Sequence, residues 1–454
     1  MRGRDFGLPG IAAVTGDAGG EGAGRGAGRR EVLAWALYDF ANSGYTTVVL
    51  TTIYSAYFVG VVAAPLDERA AGSATLLWTL AVGAANLLVL LAGPVVGAIA
   101  DIRATKKVFL LATTVLCVGA TALLGLADSG QVGLAVSLVV LSAVAFAGGE
   151  NLIAAFLPEI ARSGHMGRIS GFGWSIGYFG GLLTLGCCLA YISWAEARGQ
   201  GAVDYVPVAL LITAGIFAVT ATPTFVWLRE RAVPRPHPPG RSYVRVGFER
   251  VRATLAHAAT LPDLFRFLVC LTLFQSGVAT VVVVAAIYAQ EVMGFDSRQL
   301  IVLIMVVNLT AALGAFCFGF AQDRFGSVPS LAGALLLWIA AIAWTYGADS
   351  AADLWLAGNL MGLAMGSTQA GGRALVGQFT PVARAAEFFG LWGLAGRAAA
   401  ILGPLSYGVA GRLSGGDHRA ALLVTLCLFL AGLAALFSVN EQRGREAARA
   451  RQDP

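Results

Sequence analysis

Twelve apolar runs, most of them twenty residues or longer, constrain this chain more than any other feature of its sequence. They fall at about 34–62, 75–100, 107–127, 132–157, 168–191, 207–228, 263–290, 299–321, 328–347, 354–378, 385–411 and 420–438. A helix needs about 20 apolar residues to cross the hydrocarbon of a bilayer. Backbone N–H and C=O groups there find no water, so a spanning segment must pair them internally, which a helix does. The expected fold class is therefore an all-α membrane protein with twelve transmembrane helices in two six-helix bundles. Composition agrees: of 454 residues, 57% are hydrophobic and only 13% charged, against about 25% charged in soluble domains. The same figures exclude a disordered chain, a nucleic-acid-binding protein and a disulfide-stapled secreted domain.

The runs divide the chain. Residues 1–30 are rich in Gly, Ala and Arg and contain no apolar core, which predicts a disordered tail and not a signal peptide. Residues 31–228 form a first bundle, 229–262 a linker, 263–438 a second bundle and 439–454 a second tail. Of the 31 Lys and Arg residues, 23 fall in the tails, the linker and the loops on their side, and five on the other side: Arg69, Arg198, Arg298, Arg412 and Arg419. Such an asymmetry places both termini and the linker in the cytoplasm. After Pro234, Pro236, Pro238 and Pro239, the linker carries Val244, Phe248, Val251 and Leu255 at helical spacing, with Arg241, Arg245, Arg250 and Arg252 between them. This predicts a basic amphipathic helix, lying on anionic lipid headgroups or solvated as a plain connector.

Chemistry of other kinds is not encoded. Cys117, Cys187, Cys188, Cys270, Cys317 and Cys427 lie in apolar stretches without a C-x-x-C pair, and are read as small buried hydrophobes. The four histidines lack metal-ligand spacing. There is no phosphate-binding G-x-x-x-x-G-K-[ST] loop. The expectation is a protein that is not an enzyme, with no cofactor, no metal and no nucleic-acid partner.

The two halves repeat one another. Asn42-Ser43-Gly44-Tyr45-Thr46-Thr47-Val48-Val49 in the first run matches Gln275-Ser276-Gly277-Val278-Ala279-Thr280-Val281-Val282 in the seventh. Gly97 and Asp101, followed by Arg103, Lys106 and Lys107, match Gly319 and Asp323, followed by Arg324. GGENLIAAFLP at 148–158 matches GGRALVGQFTP at 371–381, with five identities in eleven positions. Two six-helix halves related by an axis along the membrane normal describe the major facilitator architecture. The G-x-x-x-D loop followed by basic residues resembles the signature loop of that superfamily. The resemblance implies that Asp101 and Asp323 cap helices, pair with a nearby basic residue and latch one state. Within the superfamily, Trp35-Ala36-Leu37-Tyr38-Asp39-Phe40-Ala41-Asn42-Ser43, Asn151 to Pro158, Gly173-Trp174 through Gly181, and Ala386-Glu387-Phe388-Phe389-Gly390 resemble the vacuolar-effluxer-like branch. That resemblance covers about residues 31–438 and implies a transporter, with amino-acid export the activity of the fungal members. The chain departs from it at Ser276, where relatives often carry Asp, and at Arg397, where they often carry Lys.

A charge at the bilayer centre costs about 2.5–3.5 kcal/mol on insertion scales, so polar groups inside spans are candidates for function. Asp39, Asn42, Glu150, Asn151, Gln275, Gln369 and Arg373 lie on the first, fourth, seventh and tenth runs, which line the central cavity in the superfamily. By depth, Asp39, Glu150 and Arg373 are assigned to a gate or coupling role with Gly97, Asp101, Gly319, Asp323 and Arg324; the bland alternative is a structural ion pair. Arg397, Gln275, Gln369, Asn42 and Asn151 are assigned to the translocation path, with snorkelling as the alternative for Arg397. Glu150 and Arg373 stand at equivalent positions of the repeat with opposite charge, and are expected to approach each other, directly or through Asp39 or water. The resulting expectation is a monomeric transporter of a small polar solute in a bacterial cytoplasmic membrane, first of all an amino acid, with a non-transporting sensor or scaffold of the same fold as the competing class. The topology is directly testable: a membrane-impermeant maleimide added outside should label Arg198→Cys and miss Arg241→Cys, and the reverse pattern would invalidate the charge count.

Overall fold

The computed structural model describes residues 27–67, 73–161, 164–234, 242–256, 261–295, 297–414 and 418–450. The expected tail at 1–26, the prolines 236, 238 and 239, Arg69, Arg241 and residues 451–454 lie outside that set. The described residues contain helices and no strand. All twelve runs fold into helices: α1 (Arg29–Val62), α2 (Ser73–Arg103), α3 (Lys106–Leu123), α4 (Val132–Ala154), α5 (Met166–Glu196), α6 (Ala202–Trp227), α7 (Pro262–Ile287), α8 (Ser297–Phe325), α9 (Ser327–Tyr346), α10 (Ala351–Phe379), α11 (Ala385–Leu413) and α12 (His418–Leu436). By length and composition ten of them are fit to cross a membrane on their own. The other two are α10, diluted by Asp353, Asn359, Gln369 and Arg373, and α12, which bends by 62° into a C-terminal helix, Glu441–Arg449.

Solvation by lipid explains the outside of the bundle. Leu87, Leu88 and Leu91 of α2 and Val108, Leu111 and Val115 of α3 are all exposed, an arrangement that hydrocarbon tolerates and water does not. Cys187, Cys317 and Cys427 share this exposed surface, contrary to their expected burial, whereas Cys117, Cys188 and Cys270 are buried. Thr46, Thr51 and Thr52 of α1 turn their hydroxyls back onto carbonyls four or five residues earlier. Such back-bonding competes with the regular ladder, and α1 is locally π-helical over Thr46–Thr51 and again over Phe58–Val62.

The repeat in the sequence is a repeat in packing. In the first six helices α1 packs on α5 and α6, α2 on α4, and α3 on α4 and α6. In the last six α7 packs on α11 and α12, α8 on α10, and α9 on α10 and α12, the same scheme six helices on. The halves meet through two equivalent crossings, α2 on α11 and α5 on α8. Both are close. A Cβ at Gly97 would overlap the Ala386 carbonyl, and one at Gly171 the Ala315 carbonyl, so only glycine allows the backbones to approach this far. These contacts gather toward the end of the bundle where α1 begins and α12 finishes, called here the terminal end. The helix Tyr243–Ala256, in the stretch predicted to be amphipathic, packs there on α2, with the Arg103 guanidinium 5.1 Å from the Tyr243 ring and with Val244 and Phe248 exposed.

Candidate functional site

The first turn of a helix leaves backbone N–H groups without partners and carries the positive end of the helix dipole, so a carboxylate is its natural cap. Four helices at the terminal end are capped in this way. Glu230, just after α6, accepts from the Lys106 and Lys107 amides of α3 at 2.7 and 3.1 Å. Glu441, just after α12, accepts from Ser327 and Val328 of α9 at 2.7 and 3.1 Å. These two caps lie within their own halves. The other two cross. Asp101 at the end of α2 accepts from Ala386 and Glu387 of α11 at 3.1 and 2.9 Å. Asp323 at the end of α8 accepts from Gly167 and Arg168 of α5 at 2.9 and 3.1 Å. Gly97 and Gly319, one turn before the two aspartates, sit at the close approaches that bring each carboxylate to its helix.

One of the two basic partners is not the nearby residue expected. Asp323 is bound at 2.9 Å by the side chain of Arg168, from the other half, while Arg324 is exposed and lies over its neighbour Phe325. Lys106 lies 3.9 Å from Asp101 and is paired more closely with buried Glu159. Sequence proximity suggested Arg324; the real partner lies 155 residues away and was invisible without the fold.

Arg373 lies deeper. Its Nη1 donates to Asp39 Oδ2 at 2.7 Å, its Nε to the Ser170 hydroxyl at 3.1 Å and its Nη2 to the Ser170 carbonyl at 2.9 Å. Its guanidinium also lies 4.5 Å from the Trp35 ring and 5.4 Å from the Trp174 ring. Glu150 is taken by Arg397 of α11, at 3.1 Å. The expected direct pair of Glu150 with Arg373 is therefore not formed. Instead each half contributes one member to each of two ion pairs, because Arg373 reaches α1 and α5 while Glu150 on α4 faces α11. The pairs differ in exposure: 3% and 11% for Arg373 and Asp39, against 21% and 31% for Arg397 and Glu150. The first is a sealed knot, the second an accessible pair.

The remaining candidates separate. Gln275 donates to Gln369 at 2.8 Å between α7 and α10, and its own Oε1 is buried with no partner among the described residues. Asn42 is buried, with Oδ1 likewise unpartnered. Asn151 lies between Gly93 of α2 and Gly393 of α11, where a Cβ on Gly393 would fall within 2.7 Å of the amide carbon, so it is buried at a helix contact. Trp35, Ser170, Trp174, Arg168 and Glu159 were not predicted as site residues. Trp35 and Trp174 stood in the quoted motifs, but nothing in their spacing tied them to an arginine more than 190 residues on. Among the described residues no cluster of three or more His, Cys, Asp or Glu is placed to hold a metal ion.

The model of a family described as vacuole effluxer Atg22-like matches residues 61–449. An uncharacterized MFS-type transporter of Bacillus subtilis, YxiO, is 26% identical over 428 residues, covering 92% of this chain and 97% of the relative. Autophagy-related protein 22 of Coccidioides immitis is 24% identical over 311 residues, 62% of this chain and 50% of that protein, so the chain spans about half the length of this fungal relative. In structure, the human organic anion transporter MFSD10 (TETRAN) superposes with a TM-score of 0.72 at 17% identity, over 90% of this chain and 99% of the other, a likeness of fold.

The pairing scheme can be measured by double-mutant cycles on thermal unfolding of the purified protein. Removing one member of a buried ion pair is expected to destabilise by about 3–5 kcal/mol, because the other charge stays buried alone. Asp39→Asn with Arg373→Gln should therefore show strong coupling, Glu150→Gln with Arg397→Gln weaker coupling, and Glu150→Gln with Arg373→Gln the least. Strongest coupling in the last cycle would overturn the assignment.

Proposed function

The chain belongs to the vacuole effluxer Atg22-like family of major facilitator transporters, and from that premise we propose that it moves a small polar solute across the membrane by alternating access. In this reading the terminal end faces the cytoplasm, in keeping with the Lys and Arg count, and the halves are closed on that side. The two crossing caps and the Asp39–Arg373 knot form the cytoplasmic gate. Glu150 and Arg397 are the charges that the solute meets.

The observation that carries this reading is the accessible Glu150–Arg397 pair, one charge from each half. A solute that takes either partner loosens the bond between the halves at that point, which is what coupling of binding to rocking needs. A solute shifts the equilibrium only by the difference in its affinity for the two states, and coupling energies of about 1–3 kcal/mol suffice for 5–150-fold shifts. An amino acid is the first candidate, since it presents both a carboxylate for Arg397 and an ammonium for Glu150. Export is favoured by the effluxer description of the family. Protonation of Glu150 would also release Arg397, which gives proton coupling a defined place. The protein acts as a monomer in the cytoplasmic membrane, in two bundles, 31–228 and 263–438. In this reading the helix Tyr243–Ala256 rests Val244 and Phe248 in the headgroup region with Arg245 beside anionic lipid.

The test is efflux of radiolabelled amino acids from proteoliposomes. The wild type should exceed protein-free vesicles for at least one amino acid, Arg397→Ala should lose at least tenfold of that flux, and Arg397→Lys should keep a measurable part. Unchanged flux in Arg397→Ala would remove Arg397 from the path, and no flux above protein-free vesicles for any amino acid would remove the substrate assignment.

A further inference from the structure

Everything that holds Arg373 belongs to the other half. Asp39 and Trp35 come from α1, and Ser170 and Trp174 from α5; only the guanidinium comes from α10. Room for it is made by Gly173, where a Cβ would lie 2.5 Å from the Trp35 ring, 2.6 Å from Asp39 Oδ2 and 2.8 Å from Arg373 Nη2. Trp35 is itself fixed, because its indole N–H donates to the Ile153 carbonyl of α4 at 2.8 Å. The first half thus contributes a socket around the Arg373 guanidinium: one carboxylate, two neutral acceptors from Ser170, and two indole rings.

A carboxylate between aromatic faces is the chemistry that binds organic cations. We propose that this socket is a binding site for a guanidinium or primary ammonium group, and that Arg373 is its built-in occupant. When the halves part at the terminal end, Arg373 leaves with α10 and the socket becomes available to a cationic solute from that side. This step rests on the alternating-access reading above; the existence of the socket does not. One further feature fits. The buried Trp174 Nε1 has no hydrogen-bond partner among the described residues, and a guanidinium, having no acceptor, cannot provide one. A ligand with an acceptor beside its cation can.

Emptying the socket by mutation tests the proposal without transport. Purified Arg373→Ala protein is melted with ethylguanidinium chloride in the low millimolar range, against sodium chloride at the same concentration. A ligand that binds only the folded form raises Tm with the logarithm of its concentration above Kd. The expected result is a rise in Tm of roughly 2 °C or more for Arg373→Ala, absent from Arg373→Ala with Asp39→Asn and from Arg373→Ala with Gly173→Leu. No rise in Arg373→Ala, or an equal rise in the Asp39→Asn double variant, would overturn the socket. Should Arg373→Ala fail to fold, the same salt should speed maleimide labelling of Ala386→Cys, in the otherwise wild-type chain, at least threefold, by holding the terminal end apart. An unchanged rate would count against the socket. A socket that binds ethylguanidinium in a protein that moves no solute would support this inference and contradict the transport reading, so the two failures are distinguishable.

Discussion

A backbone N–H at the start of a helix has no partner within that helix, and at the edge of a membrane it must be given one. Among the described residues, four helices at the terminal end take a carboxylate from another element, and two of the four come from the opposite half. Asp101, which caps α11 from α2, and Asp323, which caps α5 from α8, are therefore structural caps and inter-half bonds at once. The rest of the closed end depends on them. They require the glycine-mediated crossings of α2 with α11 and α5 with α8, and those crossings in turn bring α10 to α5 and α4 to α11. Each cap lies at a helix end, where water could take its place if the halves parted. The intra-half caps, Glu230 and Glu441, join elements of the same half.

Behind the caps the charges are graded by burial. Arg373 and Asp39 are sealed, with the guanidinium bound by Ser170 and lying over the rings of Trp35 and Trp174. Glu150 and Arg397 remain accessible. A sealed pair suits closure, since leaving either charge alone in a low dielectric is costly. An accessible pair suits exchange with a solute, since water and ligand can share its charges. Each pair takes one residue from each half, so any event at the accessible pair also acts on the contact between the halves.

Fold and repeat were legible because lipid dictates them: spans need about twenty apolar residues, and the matched segments at 42–49 and 275–282 could be read directly. Asp101 and Asp323 were legible as caps through the repeated loop. Their partners were not, since amides of α5 and α11 carry no side-chain signature and Arg168 lies 155 residues from Asp323. Pseudo-symmetry suggested that Glu150 and Arg373 approach each other, directly or through Asp39 or water; Arg373 binds Asp39, and Glu150 binds Arg397. The structure resolves that by local shape: Gly173 and Ser170 make a space beside Asp39 that fits a guanidinium. Asn151 is polar and lies on a run assigned to the translocation path; the structure buries it between the glycines at 93 and 393. Burial of a polar side chain between two glycines has no linear signature.

The central claim is that carboxylates crossing between the halves hold the terminal end shut. Spin labels at the exposed positions Val108 of α3 and Phe325 of α8 report the separation of the halves there by double electron–electron resonance. In the otherwise wild-type protein the distance distribution should be dominated by one short population. With Asp101→Asn and Asp323→Asn together, a longer population should appear and become major, because each lost charged cap removes about 1 kcal/mol or more from the closed state. An unchanged distribution in the double variant, with the protein still folded, would show that the caps do not close this end.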